Sequence, residues 1–203
     1  MIWPRRRHDP NVSGGLYGLT VLTPIVAGRE QALREHLEGL DKGPGSPLAR
    51  LPARHFARWV IIPGLPYEGP PQRRDVLRSQ QLLFASTFDG PRDHYMDRLC
   101  ACIPDEVDAI WGKCSGYPGP LRENAEGVKR YLCRNQVATS LFFVAYSHVT
   151  VDQVQERLER RERLRRFVTR APDDPLELQA AFRREFPPDW RPVGPCPDPL
   201  ARP

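Results

Sequence analysis

QLLFASTFDGPRDHYMDRL, residues 81–99, decides the fold. Leu82, Phe84, Ser86 and Phe88 alternate onto one face of a strand, and Asp89-Gly90 supplies the sharp stop that this pair of residues favours. Pro91 stands at an early position that helices tolerate, and Tyr95, Leu99 and Cys102 recur on one helical stripe. A strand, a turn and a helix in immediate succession argue for a sheet with helices laid on it. The stretch runs on through DEVDAIWGKCSGYPG (105–119): Pro104 breaks the first helix, Asp105 is placed to cap a second, and Gly112 ends it. Val107, Ile110 and Trp111 are its inward residues, and a glycine-rich aromatic corner follows.

Upstream, Leu16 to Thr23 alternates with Tyr17, Leu19 and Val21 on one side, the pattern of a first strand. REQALREHLEGL (29–40) sets Leu33, Leu37 and Leu40 at helical spacing, with Gly39 near the stop; His36 lies off that stripe and reads as a solvated helix residue. HFARWVII (55–62) has the β-branched and aromatic bias of a second strand. Regular geometry puts His55, Ala57, Trp59 and Ile61 on one face and Phe56, Arg58, Val60 and Ile62 on the other. Residues 63–80 are a long, proline-containing connection, so the strands on either side are expected to pair antiparallel.

Downstream, Val128, Tyr131 and Leu132 mark a short helix within 121–134. ATSLFFVAYSHV (138–149) is the most apolar run and is expected to be a fourth, well-covered strand. VDQVQERLERRERLRRFV (151–168) reads as a last helix with a Val151, Val154, Leu158 stripe. Its arginines sit four residues after glutamates at 156/160, 159/163 and 162/166, the spacing of a charge-paired, solvated helix face. The element order is therefore βαββαβ plus a helix: an α+β, ferredoxin-like fold with a four-stranded antiparallel sheet and helices on one face. Residues 1–14 are expected to form a flexible arm, 15–170 the domain, and 171–203 a proline-rich tail with a short helix at 176–186.

Composition narrows the function. Hydrophobic residues at 40% and charged residues at 27% fit a soluble globular chain, and no apolar run reaches the roughly 20 residues of a membrane helix. MIWPRRRHDP carries arginines with no apolar segment behind them, so a cytoplasmic protein is expected. The five cysteines (100, 102, 114, 133 and 196) form no paired CxxC units, which speaks against a disulfide framework or a zinc knuckle. The formal charge of +5 comes almost wholly from arginine; Lys42, Lys113 and Lys129 are the only lysines. Arginine in place of lysine alongside 23 prolines is what a GC-rich genome produces, so nucleic acid is not an expected partner. GxxxxGK[ST], GxGxxG, HExxH and GxSxG are all absent, which removes the main support for nucleotide hydrolysis, zinc proteolysis and serine hydrolysis.

The element order resembles the dimeric α+β barrel superfamily over residues 16–168. The phrases SPLARLPARHFARWVI, LLFASTFDG, IWGKCSGYPG and FFVAYSHVTV are similar to those of an uncharacterised bacterial group within it, distantly similar to the chlorite dismutase and dye-decolourising peroxidase folds. That resemblance implies a homodimer of packed sheets, a cavity between each sheet and its helices, and a small-molecule oxidoreductase activity with haem as the cofactor where one is held.

Candidate site residues follow. A neutral imidazole at His55 or His94 can act as a base or ligate iron, although either can instead serve a strand end or the backbone. Arg58 is a charge within an apolar strand, suited to hold a carboxylate or propionate or else to pair with an acid such as Asp89. Trp111, Tyr117 and Tyr131 gather at the glycine corner and can line a flat apolar pocket or pack the core and a dimer interface. Cys114 follows Lys113 but has no partner histidine by spacing, and Asp89 reads as a turn residue. No metal site is indicated. The alternative function is a non-catalytic homodimeric module that offers the arginine-rich helix to an acidic protein.

Overall fold

The computed structural model describes residues 9–73 and 76–186. Expectations for residues 1–8, for Cys196 and for the rest of the C-terminal tail lie outside the described residues. The chain divides into two compact units, Met1–Val151 and Asp152–Pro203.

The first unit holds a four-stranded antiparallel sheet in the order β1-β2-β4-β3, from β1 (Val12–Ser13), β2 (Leu16–Pro24), β3 (Arg54–Ile62) and β4 (Gln81–Asp89). The three long strands are those expected from period-two alternation. Their registers align Val21 with Phe84 and Phe84 with Trp59 in one row, and Thr23, Leu82 and Ile61 in the next. Helices α1 (Glu30–Glu38), α2 (Arg92–Cys102), α3 (Pro104–Trp111) and α4 (Ala125–Arg134) complete the unit. Pro104 is itself the first residue of α3, a position where its missing N–H is no loss, so Asp105 is not the cap. Asn124 caps α4, accepting a hydrogen bond from the Gly127 N–H.

The core lies between the sheet and these helices. Tyr17, Leu19, Val21, Leu82, Phe84 and Phe88 project from the strands into Met96, Leu99, Ile103, Val107, Ile110 and Trp111, all buried. Aromatic rings fill the middle of the layer. Phe88 stacks on Tyr95 with centroids 3.7 Å apart and on Tyr17 at 5.5 Å, while Trp111 meets Phe84 and Trp59 edge-on at 5.4 and 6.2 Å.

The fourth strand is not where the sequence puts it. Residues 138–149 form no strand, and the fourth member of the sheet is the short β1, inside the segment expected to be a loose arm. Competition for one edge explains the difference. Gln136 bridges Val21, and Val137 donates to the Thr20 carbonyl, so the chain does arrive at the edge of β2. The next stretch of that edge is taken: Asn11 accepts from the Gly18 N–H, and Val12 and Ser13 pair with Tyr17 and Leu16. Asn11 is buried and its side chain also accepts the Thr139 N–H, turning residues 139 onward off the sheet edge. The diverted run crosses the face away from the helices, where Phe142 covers Gly18 so closely that a Cβ there would lie 3.0 Å from the ring. Leu141 and Phe143, its neighbours, are left 84% and 79% exposed.

The second unit contains most of α5 (Val151–Val168) and all of α6 (Pro175–Glu185). Phe167 of α5 meets Phe182 of α6 and Phe186 at its end edge-on, each at 5.6 Å, and Phe182 and Phe186 lie 4.8 Å apart. Two of the expected helical ion pairs form, Glu156 with Arg160 and Glu162 with Arg166. Arg163 turns instead to Glu185 on α6, 2.7 Å away, so a side chain expected to stabilise its own helix ties the two together.

Candidate functional site

His55 occupies a β-bulge. The β3–β4 register steps from Arg54 opposite Phe88 to Phe56 opposite Thr87, leaving His55 as the extra residue. Freed from strict alternation, its Nε2 lies 2.9 Å from Asp89 Oδ1, and the other carboxylate oxygen of Asp89 accepts the Val151 N–H at 2.8 Å. Both side chains are largely buried, at 17% and 15% exposure. Asp89 is therefore more than a turn residue: it holds a strand end, an imidazole and the backbone at Val151 together. The acid expected as a partner for Arg58 is engaged by His55. Because the carboxylate can only accept, the Nε2 of His55 carries the proton and Nδ1 is the remaining ring nitrogen.

The other expected residues do not gather around it. Arg58 is exposed on β3, between Phe56 and Val60 in the outward alternation, and so faces away from the helices. His94 is exposed on α2, beside the buried Tyr95 and Met96. Trp111 is fully buried on the opposite side of the sheet from Arg58, packed on Trp59 and Phe84. Side chains occupy the space between sheet and helices where the resemblance implies a ligand cavity. Arg58 on the outward side of β3, His94 on the exposed side of α2 and Trp111 in the core thus lie apart in the fold.

Tyr117 and Tyr131 do come together, edge to face at 5.8 Å. Each is anchored by its hydroxyl. Tyr117 donates to Asp108, which also accepts the Leu121 N–H, and Tyr131 donates to the Ser115 carbonyl at 3.0 Å. Burial pushes both phenols well above their ordinary pKa, with Asp108 adding to the effect at Tyr117. They are neutral at physiological pH and act as donors that fix the glycine corner. Cys114 beneath them is buried and accepts from the Thr23 hydroxyl at 3.4 Å. Burial raises its pKa, the opposite of what a nucleophilic thiol needs.

Two features escape a reading of the sequence. One is a buried hydroxyl pair: Ser86 donates to the Phe56 carbonyl at 3.2 Å and, with that proton used, accepts from Tyr95 at 2.8 Å. Burial pushes the Tyr95 phenol up to about 12. The other is the outward face of the sheet, where Phe56 is 77% and Val60 39% exposed on β3, while Leu141 and Phe143 are uncovered on either side of Phe142, which lies over Gly18 of β2. The alternation of β3 carried the signal for the first two; nothing local marked residues 141–143 as uncovered. Among the described residues no group of histidines, cysteines and acids is placed to hold a metal ion, and no helix is long and apolar enough to cross a membrane. No protein-family profile, no curated protein and no solved structure matches this chain.

Proposed function

We propose that this protein is a non-catalytic assembly module that pairs with a second copy of itself through the bare outward face of its sheet. The carrying observation is the exposure of Phe56 and Val60 on β3 and of Leu141 and Phe143, which flank Phe142 where it covers Gly18, a residue in the same cross-strand row as Phe56. Large apolar side chains left exposed on one sheet face mark an interaction site, and Arg58, between Phe56 and Val60 in the same outward alternation, sets a charge within it. Two such faces suit each other: sheets pack face to face at about 10 Å with their side chains interleaved. The kinship with dimeric α+β barrels belongs to the same proposal and is supported by the β2-β4-β3 core of the antiparallel sheet with helices on one side. A cytoplasmic setting fits the free thiols of Cys100, Cys102, Cys114 and Cys133. The acidic-partner role of the arginine-rich helix has less support, since Arg160, Arg165 and Arg166 already have glutamate partners.

Multi-angle light scattering of the full chain across the micromolar range tests this reading. The expected result is a mass that rises with concentration toward twice the 23.2 kDa of one chain. A mass fixed at one chain throughout would overturn it.

A small-molecule oxidoreductase reading has one specific observation in its favour, the imidazole of His55 oriented by Asp89. It takes second place because the same contact also serves as a tie between β3, β4 and Val151. Turnover of a reducible or oxidisable substrate that disappears in His55→Gln, with the fold intact by circular dichroism, would raise it to first.

A further inference from the structure

We propose that the glycine corner and α4 form a binding site for a phosphate group on a small ligand, held between Arg130 and Arg134. The proposal is independent of the sheet-face reading and concerns a different surface.

A cavity of about 310 Å³ opens beside α4, lined by Gly116, Asn124, Arg130, Tyr131, Arg134 and Asn135 among others. Arg130 and Arg134 are four residues apart, so they stand one above the other on the same side of the helix. No aspartate or glutamate lines the cavity, and among the described residues neither arginine is within ion-pair distance of an acid. That sets them apart from their neighbours. Lys129, one residue earlier, is held by Asp97 and Glu126, and Arg122 by Asp105. Like charges at this spacing repel, so the pair weakens the helix unless an anion lies between them. The partial negative charge at the helix C-terminus accounts for Arg134, in the last turn, but not for Arg130 one turn earlier.

The walls of the cavity are fixed. Tyr131 is anchored to the Ser115 carbonyl and braced by Tyr117, and the Asn135 amide donates to the Tyr131 carbonyl at 2.8 Å. Gly116 sits at φ +76°, where a side chain is disfavoured, and its surface toward the cavity meets nothing nearer than Tyr131 at 3.7 Å from an ideal Cβ. An anion can thus approach the backbone there while two planar guanidinium forks bracket it from the helix. Forked donors match the tetrahedral oxygens of phosphate and reward its double charge more than a single carboxylate.

The test is calorimetric titration of the full chain with inorganic phosphate at constant ionic strength, with acetate as a parallel arm and amide NMR shifts to locate the contact. Expected are one saturable phosphate site, shifts at Gly116 and Asn135, and binding weakened tenfold or more in Arg130→Ala and in Arg134→Ala. Lysine at either position should recover part of the affinity, since it keeps the charge and loses the fork; Arg122→Ala should bind as the wild type does. Both arginines are exposed, so the alanine variants are expected to fold, and the lysine variants provide the same readout with smaller disturbance. Absence of a saturable site, unchanged affinity in both alanine variants, or acetate binding as tightly as phosphate would each overturn the proposal.

Discussion

The two faces of the sheet in the first unit are built from the same strands and differ in what covers them. On one face Leu19, Val21, Leu82, Phe84 and Phe88 are at most 1% exposed beneath four helices. On the other, Phe56 and Val60 of β3 face outward, and the segment that crosses nearby covers Gly18 with Phe142 while leaving Leu141 and Phe143 open. Alternation guarantees that each strand has two faces; only the rest of the chain decides which of them is buried. Here the helices supply one layer, and a second copy is proposed to supply the other.

Four perturbations sharpen that contrast, taken from the largest effect to the smallest. Trp111→Ala removes the indole wedged between Trp59 and Phe84, and chemical denaturation should show a loss of about 3–5 kcal/mol. Alkaline pH acts on the same face through Tyr95. Its phenol ionises near 10 in the unfolded chain and at about 12 when folded, so its contribution is complete below pH 10 and is lost as pH rises through 12. The stability difference between wild type and Tyr95→Phe should therefore fall by about 2–3 kcal/mol across that window. Asp89→Ala leaves the Val151 N–H and the His55 ring without their acceptor, and should cost about 1–3 kcal/mol in the same assay. Phe56→Ser, on the bare face, should change the stability of the single chain by less than about 0.5 kcal/mol in dilute urea titrations. A loss as large as that of Trp111→Ala would mean that Phe56 is a core residue of the isolated chain, and the contrast between the faces would fail.

Local pattern made the buried face readable. Phe84 and Phe88 on a period of two, and Val107, Ile110 and Trp111 on a helical period, point to their places without knowledge of their partners, because burial of one face is what those periods encode. The sheet edge was not readable. Residues 138–149 are strand-like by composition, yet Asn11 and β1 occupy the hydrogen-bonding edge they would need, a competition between segments more than 120 residues apart. The His55–Asp89 contact was hidden for a similar reason: it depends on a bulge, and a one-residue change of register has no marker in an otherwise regular strand. Tyr117 and Tyr131 part from Trp111 in the fold. The two tyrosines share the glycine corner, whereas Trp111 belongs to the core, since hydrophobic spacing alone does not distinguish a pocket wall from a packed interior.

Sedimentation equilibrium of the wild-type chain beside Phe56→Glu and Val60→Glu tests the assembly claim most directly. The account predicts a reversible two-chain species for the wild type and a single chain for both variants at the same concentrations, with unchanged circular dichroism. A wild type that stays a single chain, or glutamate variants that still pair as the wild type does, would contradict it.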